Sequence, residues 1–369
     1  MKGMKTEILC MTRPELADWL AALEQPAYRA AQIQSWMLKG VPFSDMNNLP
    51  RALRALLEEH ADPSLPAIER KYVSAVDGTV KYVLRLRDGQ LIESVVMRYK
   101  HGNTICVSSQ AGCRMGCRFC ASNTGGLARS LTPSEMLGEV IVAQRDTGER
   151  ISNIVLMGIG EPLDNYDNVM TFLRRVSAPD TLNIGSRHIS LSTCGLADKI
   201  ERLAEEELQI TLSISLHAVS DEERSDLMPV NRKWNLDALL RACRAYFDRT
   251  GRRISFEYTL IAGVNDDDAH ARRLAALLHR YFGKDAPFHV NLIPVNEVKG
   301  RGFASSAFAR RFADTLGRCH VNATVRRRLG PDINASCGQL VHRSTLTEAL
   351  PEPETEPETE TEPETETKI

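Results

Sequence analysis

Residues 112–120 read Gly-Cys-Arg-Met-Gly-Cys-Arg-Phe-Cys, which places Cys113, Cys117 and Cys120 in one short segment. Their spacing, Cys-x3-Cys-x2-Cys, gathers three thiolates, which are soft ligands suited to iron–sulfur clusters and to zinc. A structural zinc site would need a fourth ligand and usually shows two paired clusters, and no fourth Cys or His accompanies the triplet. Three thiolates on a cubane leave one iron open. The spacing therefore indicates an iron–sulfur cluster, with a zinc knuckle or three chance cysteines as alternatives.

Strands and helices alternate regularly from about residue 103 onward. The triplet follows the first strand, and Thr132-Pro133-Ser134-Glu135 has the N-cap, proline and glutamate pattern that begins a helix. This alternation predicts an α/β fold with a parallel sheet and right-handed crossovers, either doubly wound or a barrel. In both arrangements chemistry gathers at the carboxyl ends of the strands. The predicted strands are 105–109, 153–157, 188–192, 209–216, 254–261, 288–293 and 322–328.

The chain ahead of this alternation has a different pattern. Helices are predicted over about 12–60, because Thr12-Arg13-Pro14-Glu15 is a typical helix start and apolar residues follow at helical spacing. After residue 70, runs typical of strands occur at 72–76, 82–86 and 93–99. We therefore predict a helical accessory domain at 1–62, a β-rich connecting segment at 63–98, a core domain at 99–345 and a disordered tail at 346–369.

The tail and the body of the chain differ in charge. Residues 351–369 repeat Pro, Glu and Thr with eight glutamates and one lysine, whereas residues 1–350 contain 45 basic and 40 acidic residues. The tail has almost no apolar residue to bury, so we expect it to be disordered. We interpret it as a solubilising tail, with an electrostatic mimic of a nucleic-acid backbone as the alternative. A mildly basic body is compatible with a polyanionic partner without proving one.

Composition excludes several classes of protein. The chain has 369 residues, of which 43% are hydrophobic, and no apolar run approaches the roughly 20 residues that span a bilayer. Its beginning lacks the continuous apolar core of a signal peptide. Nine cysteines without a secretory signal argue against a disulfide framework. We therefore expect a cytoplasmic protein with no membrane partner.

Further motifs accompany the triplet along the chain. They are Cys-Val-Ser-Ser-Gln-Ala-Gly-Cys at 106–113, Leu-Met-Gly-Ile-Gly-Glu-Pro-Leu at 156–163, Leu-Ser-Thr at 191–193, Ile-Ser-Leu-His at 214–217, Asn-Leu-Ile-Pro-Val-Asn at 291–296 and Asp-Ile-Asn-Ala-Ser-Cys-Gly-Gln-Leu at 332–340. Together they resemble the dual-specificity radical S-adenosylmethionine (SAM) methyltransferases that act on carbon 2 of adenine in 23S ribosomal RNA and transfer RNA. The resemblance covers residues 12–343. It implies an incomplete (β/α)6 radical-SAM barrel, with a 4Fe-4S cluster on the three cysteines and bound SAM.

The resemblance also assigns residues to SAM. Taken alone, a Gly-x-Gly-Glu-Pro turn is more often only a tight turn, and a single His at a strand end is usually structural. These groups lie at the ends of different predicted strands, so they could converge on one pocket. The SAM-binding residues that the resemblance implies are Gly160, Glu161, Ser192, Ser215, Leu216, His217 and Asn296.

Cys106, Cys337 and Glu93 are the catalytic residues that the resemblance implies. One SAM would methylate Cys337 by nucleophilic displacement. A second SAM, cleaved by the reduced cluster, would give a 5′-deoxyadenosyl radical that activates this methyl group for addition to the base. Glu93 would accept a proton, and Cys106 would attack the sulfur of the adduct to release methylated RNA. Without the resemblance, Glu93 is interpreted as a surface strand glutamate.

Other cysteines and a run of arginines have simpler interpretations. Arginines at 326–328 would favour a thiolate at Cys337 and attract RNA phosphate, or they form a solvated edge. Buried free cysteine is by default a small hydrophobe. The cysteines interpreted in this way are Cys10, Cys194, Cys243 and Cys319.

The resemblance implies an adenine substrate at the peptidyl-transferase centre of 23S rRNA and next to the anticodon of tRNA. Carbon 2 of adenine is electron-poor, and the methyl group of SAM is electrophilic. Direct transfer would therefore join two electron-poor carbons, and a radical route avoids this mismatch of polarity. One alternative is the sibling family that methylates carbon 8 of the same ribosomal adenine, and another is a non-catalytic metal-binding RNA adaptor. We further expect a flavodoxin-like electron-transfer partner and a monomer.

Overall fold

The computed structural model describes residues 5–284 and 286–342, and the predicted disordered tail at 346–369 lies outside the described residues. The described part begins with a helical module that also contains a short parallel strand pair. Thr12 caps the first helix, since its hydroxyl accepts from the Glu15 amide while the Glu15 carboxylate accepts from the Thr12 amide. The elements are β1 (Thr6–Glu7), α1 (Arg13–Ala22), α2 (Arg29–Met37), α3 (Arg51–His60) and β2 (Ala61–Asp62).

An antiparallel ribbon follows the helical module. It consists of β3 (Ala67–Val73), β4 (Val80–Arg85) and β5 (Leu91–Tyr99), and it continues into β6 (Gly102–Cys106). The predicted strand at 72–76 is wrong in its second half. The chain turns at Ser74. The hydroxyl group of Ser74 accepts hydrogen bonds from the backbone amides of residues 76 and 77.

The cysteine triplet lies in a loop enclosed by a small hairpin, β7 (Gln110–Gly112) and β8 (Leu127–Ser130). The predicted strand at 105–109 is therefore misplaced, because β6 already ends at Cys106 and the chain then turns toward the loop. Helix α4 (Pro133–Thr147) follows, and Thr132 and Glu135 form the predicted capping box.

Six further strands extend β6 in parallel and alternate with helices. The strands are β9 (Ile151–Leu156), β10 (Ile189–Thr193), β11 (Thr211–Ser215), β12 (Ile254–Leu260), β13 (His289–Pro294) and β14 (Ala323–Val325). The helices are α5 (Tyr166–Ser177), α6 (Ala197–Leu203), α7 (Asp221–Leu227), α8 (Leu236–Thr250), α9 (Asp268–Phe282) and α10 (Ala309–Arg318). Five of these strands agree with the predictions within two residues, whereas the predicted strand at 322–328 shortens to β14.

The strand order within the described residues is β14-β13-β12-β11-β10-β9-β6-β5-β4-β3. The sheet is therefore open, with β14 at one edge and β3 at the other. Its parallel part is an incomplete barrel, and its antiparallel part connects the barrel to the helical module. This confirms the predicted α/β fold class and the partial barrel. Side chains of the barrel, its helices and the helical module form one continuous hydrophobic core. No helix in the described part of the chain is long and apolar enough to cross a bilayer.

Gly138 on α4 provides a test of the packing between the barrel and the segment before β3. A Cβ atom added there would lie 2.7 Å from the Ser64 carbonyl oxygen and from Pro66 Cδ. We expect Gly138→Ala to lower the free energy of unfolding by about 1–3 kcal/mol, as over-packing does. Urea denaturation followed by circular dichroism measures this change.

The matched control is Gly317→Ala in α10, where the added Cβ meets no described atom within 4 Å. There the intrinsic helix preference for alanine predicts an unchanged or higher stability, by at most about 1 kcal/mol. Equal stability of the two variants would contradict the close approach at Gly138.

Candidate active site

A cavity opens at the carboxyl ends of the parallel strands, with a volume of about 950 Å³ including its open mouth. We call it the first cavity. The structure brings nearly all of the predicted cluster and SAM residues to its wall. The predicted residues that line it are Cys113, Cys117, Cys120, Gly160, Glu161, Ser192, Ser215, His217, Asn296 and Cys337.

The three clustered cysteines are free thiols whose side chains face this cavity. Their loop closes tightly at its base, where the Cys113 amide donates to the Gly126 carbonyl at 2.9 Å. Gly112 has φ +82°, and a Cβ there would lie 2.0 Å from the same carbonyl oxygen, so only glycine fits. Burial raises the pKa of Cys113 to about 12. Bound iron would displace the thiol proton, because metal binding deprotonates its cysteine ligands.

The triplet does not form a single-ion site. Among residues 5–284 and 286–342, no group of three or more His, Cys, Asp or Glu side chains could hold one metal ion. Structural zinc requires four such ligands in close tetrahedral contact. Three thiols facing one roomy cavity instead suit an iron–sulfur cluster with one open iron.

The glycine turn after β9 is fastened to the chain just before the cysteine loop. The amides of Ser109 and Gln110 both donate to the Ile159 carbonyl, at 2.8 and 3.2 Å. Gln110 is fully buried, and its Oε1 accepts from the Glu161 amide at 2.9 Å. Gly160 has φ +105°, and a Cβ there would lie 2.6 Å from Gln110 Cβ. The turn and the loop are therefore held at one fixed separation.

A second connection joins the same two segments from the outside. Asp164 Oδ2 accepts from Arg114 Nε at 2.9 Å and from Gln110 Nε2 at 3.0 Å. Arg114 lies between the first two clustered cysteines, and its side chain is 63% exposed, whereas that of Asp164 is 9% exposed. We call this connection the Asp164 clamp.

Glu161 presents a buried carboxylate to the first cavity. Its Oε2 accepts from the Cys194 amide at 2.7 Å and its Oε1 accepts from the Leu163 amide at 3.0 Å. Burial raises the pKa of Glu161, and these hydrogen bonds oppose that rise. A carboxylate in this place can pair with an ammonium group.

His217 and Ser215 are held at the end of β11. The His217 Nδ1 accepts from the Thr259 amide at 3.0 Å, which assigns the ring proton to Nε2 when the ring is neutral. Burial and the nearby Arg224 lower the pKa of His217 to about 3, so the ring is neutral at physiological pH. The Leu216 side chain, in contrast, is fully buried and is not among the residues that line the cavity.

Cys337 lies on a loop that is fixed from several sides. Its carbonyl accepts from Asn296 Nδ2 at 3.0 Å, and Gln339 Nε2 donates to the Glu297 carbonyl at 3.1 Å. Further bonds join the loop to the helical turn after the cysteine triplet and to β5. They are Ala121 N to Gly338 O, Ser122 Oγ to Leu340 O and Val341 N to Glu93 Oε2.

A second cavity, of about 720 Å³ including its mouth, adjoins the first. Cys106 and Tyr99 line it, together with the three arginines at 326–328. Cys337 lines both cavities and so lies in their common wall. Burial and the neighbouring Cys337 raise the pKa of Cys106. The arginine run is divided, since residues 327 and 328 are exposed whereas Arg326 is partly buried beside the cysteines.

Glu93 lies on β5 and is 3% exposed, so its interpretation as a surface glutamate is wrong. It is buried because β5 is an interior strand of the sheet, covered on both sides. Its carboxylate accepts from the Val341 amide at 3.1 Å and lies 3.8 Å from Lys81 Nζ. Among the described residues, it does not line either cavity, and it reaches the Cys337 loop through residue 341.

Several residues of this site were not predicted from the sequence. Cys194 was interpreted as a buried hydrophobe, yet it lines the first cavity. Arg224 is fully buried and donates to the carbonyls of residues 194, 215 and 216, which no sequence pattern indicated. Glu257 interrupts a mostly apolar strand, and this signal could have found it.

Comparison with known proteins identifies the chain. Residues 107–275 match the family model of the radical SAM superfamily, and residues 6–62 match that of the ribosomal RNA large subunit methyltransferase N-terminal domain. A Clostridium botulinum (strain Alaska E43) protein, named "Probable dual-specificity RNA methyltransferase RlmN", is 54% identical over 90% of this chain and 95% of its own. The chain belongs to the RlmN family. A Clostridium tetani protein of the same name is 50% identical over 91% of this chain and 96% of its own.

A solved structure supports the assignment to the radical SAM methyltransferases. The crystal structure of a radical SAM methyltransferase from Sphaerobacter thermophilus is 42% identical, with a TM-score of 0.86 over 92% of this chain and all of that one. The chain is therefore a radical SAM RNA methyltransferase, with a 4Fe-4S cluster and SAM as its cofactors. Its partners include RNA.

The Asp164 clamp predicts a selective defect in SAM binding. Asp164→Asn weakens the ties to Arg114 and Gln110, and the Glu161 turn then loses part of its support. We expect the reconstituted variant to bind SAM about three- to tenfold more weakly, which corresponds to about 1 kcal/mol for a partly exposed charged contact. Equilibrium dialysis with labelled SAM measures the affinity.

Asp226→Asn is the matched control, because Asp226 pairs with Arg118 of the same loop but is 68% exposed and lies outside the clamp. It should bind SAM like the parent protein. Equal weakening in both variants would show a general effect of charge near the loop and would contradict the clamp.

Proposed function

We propose that this enzyme methylates carbon 2 of an adenine in 23S rRNA, at the peptidyl-transferase centre, and in tRNA, next to the anticodon. We further propose that the methyl group passes through Cys337. The observation that carries the proposal is the position of Cys337 in the wall shared by the two cavities. One cavity contains the residues proposed for the cluster and SAM, and the other contains Cys106 and the arginines.

The proposed SAM residues supply the contacts that the cofactor requires. Glu161 can accept from the ammonium group of SAM, while Ser192 and Ser215 offer hydroxyl groups. His217 offers an Nε2 proton donor that stays in place across physiological pH, because its pKa is low. We propose the same role for Gly160, the Leu216 backbone and Asn296. Bound in the first cavity, the reduced cluster and SAM would supply a carbon-centred radical.

The residues of this chain would act in sequence, and the first step, with a first molecule of SAM, precedes formation of the radical. The Cys337 thiolate takes the methyl group of SAM, so that a sulfur–carbon bond forms and S-adenosylhomocysteine leaves. The methyl group on Cys337 would lose one hydrogen atom to the carbon-centred radical derived from a second SAM, and the resulting S–CH2 radical would add to carbon 2. Glu93 would then accept the proton from that carbon. Cys106 would attack the sulfur of Cys337, so that a disulfide forms and the bond from that sulfur to the transferred carbon breaks. A proton would complete the methyl group on the released base, the one surplus electron would return to the cluster, and the external reductant would restore both thiols. Arg326 lines the second cavity together with Cys106, and its positive charge opposes the rise in the pKa of Cys106 that burial causes.

Nucleoside analysis tests the proposed reaction. The protein is reconstituted anaerobically with iron and sulfide, and a stem-loop RNA is treated with it in the presence of SAM and a reductant. We expect 2-methyladenosine by mass spectrometry, and Cys337→Ala should lower its formation by about 1,000-fold or more, as loss of a nucleophile does. Cys319→Ala, at the end of α10, is the matched control and should retain activity.

The identity of the product separates the alternatives. Formation of 8-methyladenosine would assign the chain to the carbon 8 chemistry. A reconstituted protein that contains zinc in place of iron, or that cannot cleave SAM, would support a non-catalytic adaptor and would refute the proposal.

Cys106→Ala should trap an intermediate. Without the Cys106 thiol, the bond between Cys337 and the RNA cannot be resolved, so a covalent protein–RNA adduct should accumulate. A band of higher mass in a denaturing gel, sensitive to nuclease, measures it. The double variant Cys106→Ala/Cys337→Ala should form no adduct, and normal turnover by Cys106→Ala would exclude the proposed role of this thiol.

We also propose a flavodoxin-like protein as the electron donor, a monomeric enzyme and a cytoplasmic location. Reductive cleavage of SAM requires an electron donor, which supports the first of these proposals. No helix within the described residues could cross a membrane.

A further inference from the structure

Glu257 is a buried carboxylate inside the barrel that the proposed mechanism does not use. It lies in the middle of β12 and is 3% exposed. Its Oε1 accepts hydrogen bonds from Ser255 Oγ at 3.0 Å and from Asn291 Nδ2 at 2.9 Å. Its Oε2 has no hydrogen-bond donor among the described residues, although Glu257 lines the first cavity. One oxygen is therefore anchored, and the other is available to a ligand.

Arg326 is the cation beside this free oxygen. Arg326 Nη1 lies 3.8 Å from Glu257 Oε2, which is beyond hydrogen-bond distance. The same nitrogen lies 3.5 Å from Met157 Sδ, a weak acceptor. A purely structural pair would close to a direct contact, because a buried carboxylate oxygen without a donor is costly. Here an acceptor and a donor stand side by side without satisfying each other.

The position of the pair links it to the target base. Arg326 lines both cavities and, like Cys337, lies in their common wall, while Glu257 lines the first cavity. The backbone carbonyl of Glu257 also accepts from the amides of Leu216 and His217, at 3.0 and 3.3 Å. The pair is thus fixed to the same strand ends as the SAM residues and lies next to the cysteine proposed to carry the methyl group.

We propose that Glu257 and Arg326 recognise the edge of the target adenine that bears its 6-amino group and N1. This inference rests on the proposed function, since it names the contacts of the base that the enzyme methylates. The 6-amino group donates to Glu257 Oε2, and Arg326 donates to N1. A carboxylate and a guanidinium in this order match the donor and acceptor pattern of that edge.

The same contacts assist the chemistry. N1 is bonded to carbon 2, so a cationic donor at N1 draws electron density away from the carbon that the methyl-derived radical attacks. A 6-oxo base would instead place an acceptor against Glu257, and two acceptors without a shared proton repel each other. Glu257 and Arg326 would therefore both recognise the base and activate it.

Paired RNAs test this inference. One stem-loop carries adenosine at the target position, and the other carries purine riboside, which lacks only the 6-amino group. For the parent enzyme, we expect kcat/KM to be about 10- to 100-fold higher with adenosine, as for loss of one hydrogen bond to a charged group. Glu257→Gln should reduce this ratio to about threefold or less while the dissociation constant of SAM stays unchanged.

A binding measurement separates failure of this inference from failure of the proposed function. Anisotropy of the two labelled RNAs is measured on reconstituted protein with S-adenosylhomocysteine, where no turnover occurs. If the parent protein prefers the adenosine RNA and Glu257→Gln does not, the contact stands even if no 2-methyladenosine forms. If 2-methyladenosine forms but the parent protein shows no preference in rate or binding, the contact is refuted.

Two further results would overturn the assignment. A weaker affinity for SAM in Glu257→Gln, with an unchanged preference between the RNAs, would show that the free oxygen accepts from SAM instead. An equal loss of rate with both RNAs would show a structural role. The matched control is Glu206→Gln, which alters a carboxylate that pairs with Arg174 outside both cavities and should change neither ratio nor affinity.

Discussion

The carbonyl of Ile159 accepts hydrogen bonds from the backbone amides of two successive residues, Ser109 and Gln110. The geometry of the site depends on these two hydrogen bonds. They join the start of β7, which leads into the cysteine loop, to the turn after β9, so the loop with the three cysteines and the turn with Glu161 cannot move independently. Parallel strands bring their carboxyl ends to one side of the sheet, but they do not set the distance between the loops that follow. These hydrogen bonds, with Gln110 and the Asp164 clamp, set that distance.

Much of the fold was accessible from the sequence because its signals are local. Alternating apolar runs and capped helices predicted five of the parallel strands within two residues and the start of α4 at Thr132. The cysteine spacing indicated the cluster loop, and strand ends indicated where Ser192, Ser215 and His217 would lie. Predictions were wrong where side chains bind the backbone, as at Ser74, and where β6 ends earlier than its apolar run.

The parts that the sequence did not reveal depend on contacts between distant segments. Glu93 is buried because β4 and β6 flank β5, and a strand pattern alone does not tell an interior strand from an edge strand. Leu216 lies within a SAM motif, yet its side chain belongs to the core. Glu257 is notable only once Arg326, 69 residues further along the chain, is seen beside it.

The fixed loop around Cys337 has a consequence for the entropy of catalysis. Bonds from Asn296, Ala121, Ser122 and Glu93 immobilise this loop in the folded protein. Ordering a residue of a flexible chain costs about 1–2 kcal/mol, and here that cost is met during folding. A methyl carrier on a flexible segment would incur this entropic cost in each catalytic cycle. In this enzyme the carrier is stationary, so both reaction partners must be delivered to the same sulfur atom.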